Sequence, residues 1–173
     1  KFGNDRLLPA GPLREGFSGV KRATAIVVTN KTSNVENALK YCDEVKERFN
    51  KPVFLCKMQP DISYNIKNNE ILYKGASVLA FCAIGQPNEF FDFVKESFYL
   101  NATMTFPDHH AYDLKDVEMI LKTAESSGIQ SVITTEKDAV KIKSFVESYK
   151  TSVNVYALKL SACADFDDIV NCC

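Results

Sequence analysis

The sequence predicts a layered α/β/α fold with a mostly parallel sheet. Two observations carry this expectation. Short apolar or β-branched runs alternate with longer segments of helical apolar spacing, and Gly, Pro or Asn residues mark the junctions. The runs are apolar throughout, as strands covered on both faces require.

Residues 23–29 (ATAIVVT) read as a first strand buried on both faces. Residues 34–49 follow with Val35, Ala38, Leu39, Cys42, Val45 and Phe49 on one helical face, and Ser33 or Asn34 can cap them. Residues 52–58 form a second strand. Beyond them Ile62, Tyr64 and Ile66 alternate, Ile71 and Tyr73 follow, and Asn68-Asn69 suggests a hairpin turn. Residues 77–84 (SVLAFCAI) are a third, buried strand. Pro87 opens a helix reaching about residue 98, a tolerated place for proline. Residues 102–106 give a short strand, and Asp113 caps a helix that Gly128 stops. Residues 131–135 are a fifth strand, 136–149 a helix, 153–158 a last strand and 165–170 a short helix. Residues 1–22, with two prolines and four glycines, read as loop or capped turn.

Composition narrows the function. The 173 residues are 46% hydrophobic and 25% charged with net charge −1, so the chain is globular in type and has no basic footprint for nucleic acid. No apolar run reaches the ~18 residues of a membrane span. Six cysteines form no Cys-x-x-Cys pair. Cys56 and Cys82 lie in apolar runs, where a free thiol acts as a small core residue, and reduced thiols are expected. No metal site is expected from these residues.

Four stretches could carry chemistry. GNDRLLPAGPLRE at 3–15 ends in Arg14-Glu15 and could equally be a solvated loop. AIGQPNEFF at 83–91 lies where a strand passes into a helix. It is either an anion-attracting helix start or a plain turn, with Phe90 and Phe91 in the core in both cases. FPDHHAY at 106–112 holds both histidines of the chain, His109 and His110. Asp108 beside imidazole suits acid–base work, and the alternative is a solvated turn. TTEKDAVK at 134–141 places Thr135 to cap and Asp138 three residues on, as in a capping box. Lys137 then sits at a helix start, where a cation is disfavoured, which hints at a ligand.

These four stretches, in this order and approximate spacing, resemble the tetraacyldisaccharide 4'-kinases, and the resemblance covers essentially the whole chain. Ala83 departs mildly, since the family usually has a second glycine there. The resemblance implies the second domain of a P-loop-type kinase: residues 1–22 as the tail end of a missing N-terminal kinase domain, and 23–173 as the C-terminal α/β domain. It implies an enzyme that uses ATP and Mg²⁺ to phosphorylate the 4'-hydroxyl of tetraacyldisaccharide 1-phosphate, giving lipid IVA in lipid A biosynthesis. Such an enzyme is cytoplasmic and peripheral at the inner membrane. No GxxxxGK(S/T) loop or DDGFQ-type motif occurs here. The chain alone is therefore expected to be inactive and to bind no cofactor tightly, its partner being the missing P-loop half. The alternative is a non-catalytic remnant that binds nucleotide or glycolipid. By resemblance His109 is the histidine that works with a carboxylate of the acidic motif, with Asp108 beside it as a second catalytic candidate. Arg14 lies near substrate or phosphate, and Lys137 and Asp138 line the nucleotide side of the cleft.

Overall fold

The computed structural model describes residues 3–32 and 35–164. It divides into two compact units, Lys1–Met58 with Ala162–Cys173, and Gln59–Ser161.

The first unit begins with a loop closed on itself. Leu7 and Leu13 bridge, the Leu8 N–H donates to Leu13 O (2.8 Å), and Gly11 N–H to Leu7 O (3.0 Å). Asn4 ties the loop across, donating from Nδ2 to Ala10 O at 2.9 Å and accepting from Arg6 N–H. A Cβ on Gly11 would collide with Asn4 Oδ1 and the Arg6 carbonyl, so glycine is required there. The tight turn leaves no residue from 3 to 22 buried, and Leu7 and Leu8 are 48% and 62% exposed. A 3₁₀ turn, Phe17–Arg22, brings Phe17 to Phe49 (5.5 Å between ring centres) and under the Arg48 guanidinium (4.4 Å), within the stretch expected as loop or capped turn.

Strand β1 (Ile26–Asn30), helix α1 (Val35–Phe49) and the start of strand β2 (Val53–Asn65) form a parallel β-α-β unit, with Ile26 opposite Val53. Asn50, at φ 49°, ends α1 by donating its N–H to Lys46 O, and Pro52 blocks any extension. The expected capping residues Ser33 and Asn34 lie outside the described residues. β1 is not buried on both faces as expected. Its residues alternate, with Val27 47% exposed. β-branched composition favours an extended backbone, but it does not say whether a second layer covers it.

β2 runs on past Pro60 into the second unit, seven residues beyond the expected end. Proline removes one donor without breaking the extended backbone, and the Ile62–Tyr64 alternation continues the strand. The turn at Asn68-Asn69 forms as expected. Asn69 takes φ 62°, Asn65 N–H donates to Glu70 O, and Tyr64 bridges Ile71 antiparallel.

The rest of the second unit consists of β3 (Ser77–Cys82), α2 (Pro87–Lys95), β4 (Tyr99–Thr105), α3 (Leu114–Ser126), β5 (Ser131–Thr135), α4 (Glu136–Ser148) and β6 (Asn154–Cys163). The strands pair in parallel in the order β6-β5-β3-β4. A bulge at Asn101 shifts the β3–β4 register by one residue. The last strand is longer than the expected 153–158, and the expected helix at 165–170 lies outside the described residues.

β3 is the centre of this unit. Val78, Leu79, Ala80, Phe81 and Cys82 have no exposed surface. Leu79 and Phe81 face a core built with Val117, Ile120, Leu121 and Ala124 of α3 and Ile142 and Val146 of α4. Alternate residues of β3 point to the other face, which α2 covers with Phe90, Phe91, Phe93 and Val94, all buried. The layered, mostly parallel fold thus follows from apolar strands flanked by one-sided helices. Cys42, Cys56 and Cys82 are free and buried, while Cys163 is free and exposed. Burial, then the nearby Asp138 charge, pushes the Cys82 thiol up to about 12, which leaves it inert as a nucleophile. No helix among the described residues is long and apolar enough to cross a membrane.

Candidate active site

Parallel pairing brings the C-terminal ends of β3, β4 and β5 to one edge of the second unit. From β3 the chain steps to β4 on one side, then returns to β5 on the other. The connections after β3 and β5 therefore leave in opposite directions, through α2 on one face and α4 on the other. That divergence marks a topological switch point, the place where open α/β sheets commonly form a ligand-binding crevice. Gly85, Asp108, His109 and Lys137 all stand on the connections that leave this edge.

The loop from β4 to α3 is built from several small ties. Phe106 N–H donates to Cys82 O (3.0 Å), and His110 N–H to Pro107 O (3.0 Å), closing a turn over Asp108-His109. His109 takes φ 62°, a left-handed conformation that costs a non-glycine residue about 1–2 kcal/mol. Its N–H donates to Asp108 Oδ1 at 2.9 Å and lies 3.4 Å from Ala83 O.

The two adjacent histidines have different surroundings. His110 is inward. Its ring stacks on Phe106 (5.0 Å, 27°), meets Tyr112 edge-on (5.0 Å), and donates from Nε2 to Asp116 Oδ2 at 2.7 Å. Asp116 also closes the α3 capping box with Asp113: Asp113 N–H donates to Asp116 Oδ2 (3.1 Å) and Asp116 N–H to Asp113 Oδ1 (2.9 Å). The His110 hydrogen bond is the main cause that holds the Asp116 carboxyl below the usual carboxylate range. His109 instead projects outward, its side chain 77% exposed, with Nε2 3.7 Å from Asp108 Oδ2. Lys137 Nζ lies 3.8 Å from Asp108 Oδ1. Both distances exceed a direct hydrogen bond.

Thr135 is both the end of β5 and the cap of α4, accepting from Asp138 N–H at 3.1 Å. Asp138 follows it into the interior and has no exposed surface. Its Oδ2 accepts from Ala83 N–H (2.9 Å) and Thr135 Oγ1 (2.9 Å), and its Oδ1 from Lys141 Nζ (3.1 Å). Asp138 therefore reaches the crevice only through the groups it holds. Arg14 is exposed and belongs to the first unit, whereas Asp108, His109, Lys137 and Asp138 belong to the second.

Sequence reasoning named Asp108, His109 and Lys137, which this edge brings together. It missed Asp116 and Lys141. The spacing Asp113-x-x-Asp116 was a visible capping signal, and Lys141 lies one helical turn after Lys137. No group of three or more His, Cys, Asp or Glu side chains among the described residues gathers as a metal site.

The asymmetric histidine pair carries a first expectation. His110→Ala removes a hydrogen bond to a charged group, so it should cost about 1.5–3 kcal/mol, or roughly 3–12 °C in Tm. A depressed carboxyl stabilises the fold above its unfolded pKa and loses that contribution as pH falls through the folded value. The deficit of His110→Ala should therefore be widest near neutral pH and narrow under acid. A deficit independent of pH would show that the Asp116 bond is not its source.

The fold and the strand-end cluster define an α/β protein of the doubly wound class with its polar groups at a switch point. The chain belongs to the tetraacyldisaccharide-1-P 4'-kinase family, whose model matches residues 1–171. It is 32% identical to the tetraacyldisaccharide 4'-kinase of Desulfotalea psychrophila over 98% of this chain and 49% of that protein. It is 36% identical to that of Koribacter versatilis over 95% of this chain and 47% of that protein. Among solved structures it is similar to the "apo" form of LpxK from Aquifex aeolicus in complex with ATP. The TM-score is 0.61 and the identity 26%, covering 96% of this chain and 46% of that one. The chain spans about half the length of the curated relatives it matches.

Proposed function

We propose that this chain is the C-terminal part of an ATP-dependent kinase that phosphorylates the 4'-hydroxyl of tetraacyldisaccharide 1-phosphate in lipid A synthesis. The observation that carries the reading is the outward His109 beside Asp108 at the switch-point edge, while the neighbouring His110 is committed to the fold. A sugar hydroxyl must lose its proton as the new bond to phosphorus forms. His109 is suited to receive or relay that proton together with a carboxylate of the other half. Asp108 anchors the turn and faces the imidazole. Lys137 offers an ammonium to phosphate oxygens on the nucleotide side, with Asp138 fixed beneath it. Arg14, at the exit of the closed loop, offers a planar fork for phosphate.

The phosphate cradle is assigned to the other half, because this sequence contains no GxxxxGK(S/T) loop. Mg²⁺ is assigned there too, as the ion that bridges the phosphates of the bound nucleotide. The membrane-bound glycolipid and contact with the inner-membrane surface then belong to the assembled enzyme.

A chimera tests this directly. Joined to the N-terminal half of the Desulfotalea psychrophila relative, the chain is expected to transfer phosphate from ATP to the disaccharide, while the 173-residue chain alone gives no product. Turnover by the purified chain alone would overturn the division of labour. A folded, ATP-binding chimera without turnover would instead favour a non-catalytic binding domain.

A further inference from the structure

We infer that Lys141 and Asp138 are positioning residues that set the Asp108-His109 turn from beneath; this rests on the reading of His109 as the reacting group. Ala83 is the hub. Its N–H donates to Asp138 Oδ2 at 2.9 Å, and its carbonyl faces the His109 N–H at 3.4 Å. The buried carboxylate therefore fixes the peptide immediately before the one whose carbonyl the His109 N–H faces, with only Cα of Ala83 between them. A second tie runs through Lys141, whose Nζ bonds Asp138 Oδ1 and also donates to His110 O, both at 3.1 Å. The same ammonium lies 5.6 Å from the centre of the Tyr112 ring. One ion pair on the first turns of α4 thus grips the turn from two sides, at Ala83 and at His110.

The chemistry explains why a charged pair is used. A carboxylate with no exposed surface is tolerated only when its acceptor sites are filled. Here three donors fill them, and each belongs to or holds a different piece of the site: the β3 end, the α4 cap and the β4–α3 loop. Gly85, on the β3 connection, lies beside the same turn, the position of a Cβ there being an ordinary 3.6 Å contact from Asp108 Oδ2. His109 needs such support because its left-handed backbone is not the conformation that histidine prefers.

The test uses the full 173-residue chain and needs no turnover, so its failure is distinct from failure of the kinase reading. Lys141→Met keeps the apolar stem and removes both bonds. Amide exchange of His109 and His110, read by NMR, should quicken about tenfold or more, and the His109 ring resonances should shift. Exchange along β3 and α3 should quicken by no more than the loss of unfolding free energy measured for the same variant accounts for. Lys141→Arg, which keeps the charge and donors, should restore the turn. Asp138→Asn serves as a second variant. It retains an acceptor for Ala83 N–H but loses the ion pair, so it too should loosen the turn locally. Exchange at the turn unchanged in a folded Lys141→Met, or quickened equally throughout the second unit, overturns the proposal. So does failure of both variants to fold, since the pair would then hold the whole sheet together.

Discussion

In an enzyme carrying this half, His109→Ala is expected to lower kcat by about 10²–10⁴-fold, with little change in KM. A group that assists proton removal stabilises the transition state more than the bound substrate. The exposed position of His109 predicts almost no loss of stability, because the side chain fills no core space. His109→Gly sharpens the test. Glycine relieves the left-handed backbone at φ 62°, so this variant should be at least as stable as the parent and equally inactive. His110→Ala should show the reverse pattern, with a lower Tm and nearly intact kcat for each folded molecule. Equal losses of kcat for the two histidines, or a His109→Ala loss that follows unfolding, would remove His109 from the reaction.

Asp138→Ala should be the most destabilising single change among the site residues. It strands the Ala83 N–H, the Thr135 hydroxyl and the Lys141 ammonium, and removal of one partner from a buried pair costs about 3–5 kcal/mol. That is a large share of the roughly 5–15 kcal/mol that holds a domain folded. Lys141 is partly exposed and can turn toward water, which places the expected cost near the lower end. Denaturant unfolding of the 173-residue chain measures it. Asp138→Asn, which still accepts from Ala83 N–H, should lose less. A cost below about 1 kcal/mol for Asp138→Ala would mean that the carboxylate is hydrated in solution.

Much of the second unit was legible because its signals are local. Residues 131–135 form a strand at the expected positions because Thr135 is at once strand end and helix cap. Asp113 capped α3 as its residue type required. Strand lengths were harder to see. The second strand was expected to end at residue 58, but an extended backbone tolerates Pro60, and the continuation of β2 depends on a partner strand far along the chain. The exposed side of β1 had the same cause, since composition does not report whether a second layer exists. At the site, a motif could mark Asp108, His109 and Lys137 as chemical residues. The resemblance chose His109 over His110, but the residue pattern could not show what His110 does instead, because that depends on which ring reaches Phe106, Tyr112 and Asp116 after folding. Asp138 was visible as part of a cap, but its burial was not, because Ala83 lies 55 residues away.

The placement of β3 has a consequence for how the chain is made. Both strands that flank it, β4 and β5, come later in the sequence. As the polypeptide leaves the ribosome, its most apolar segment emerges with two open edges. One closes when β4 follows; the other waits until residues 131–135 have been synthesised. At about 5–20 residues per second, that interval lasts roughly 3–10 seconds. Throughout it, Val78 to Cys82 present a template on which a neighbouring nascent chain could add a strand. Slower decoding between β4 and β5, or a shortage of holdase chaperones, should therefore cause aggregation of this protein during synthesis even though the finished fold conceals the segment.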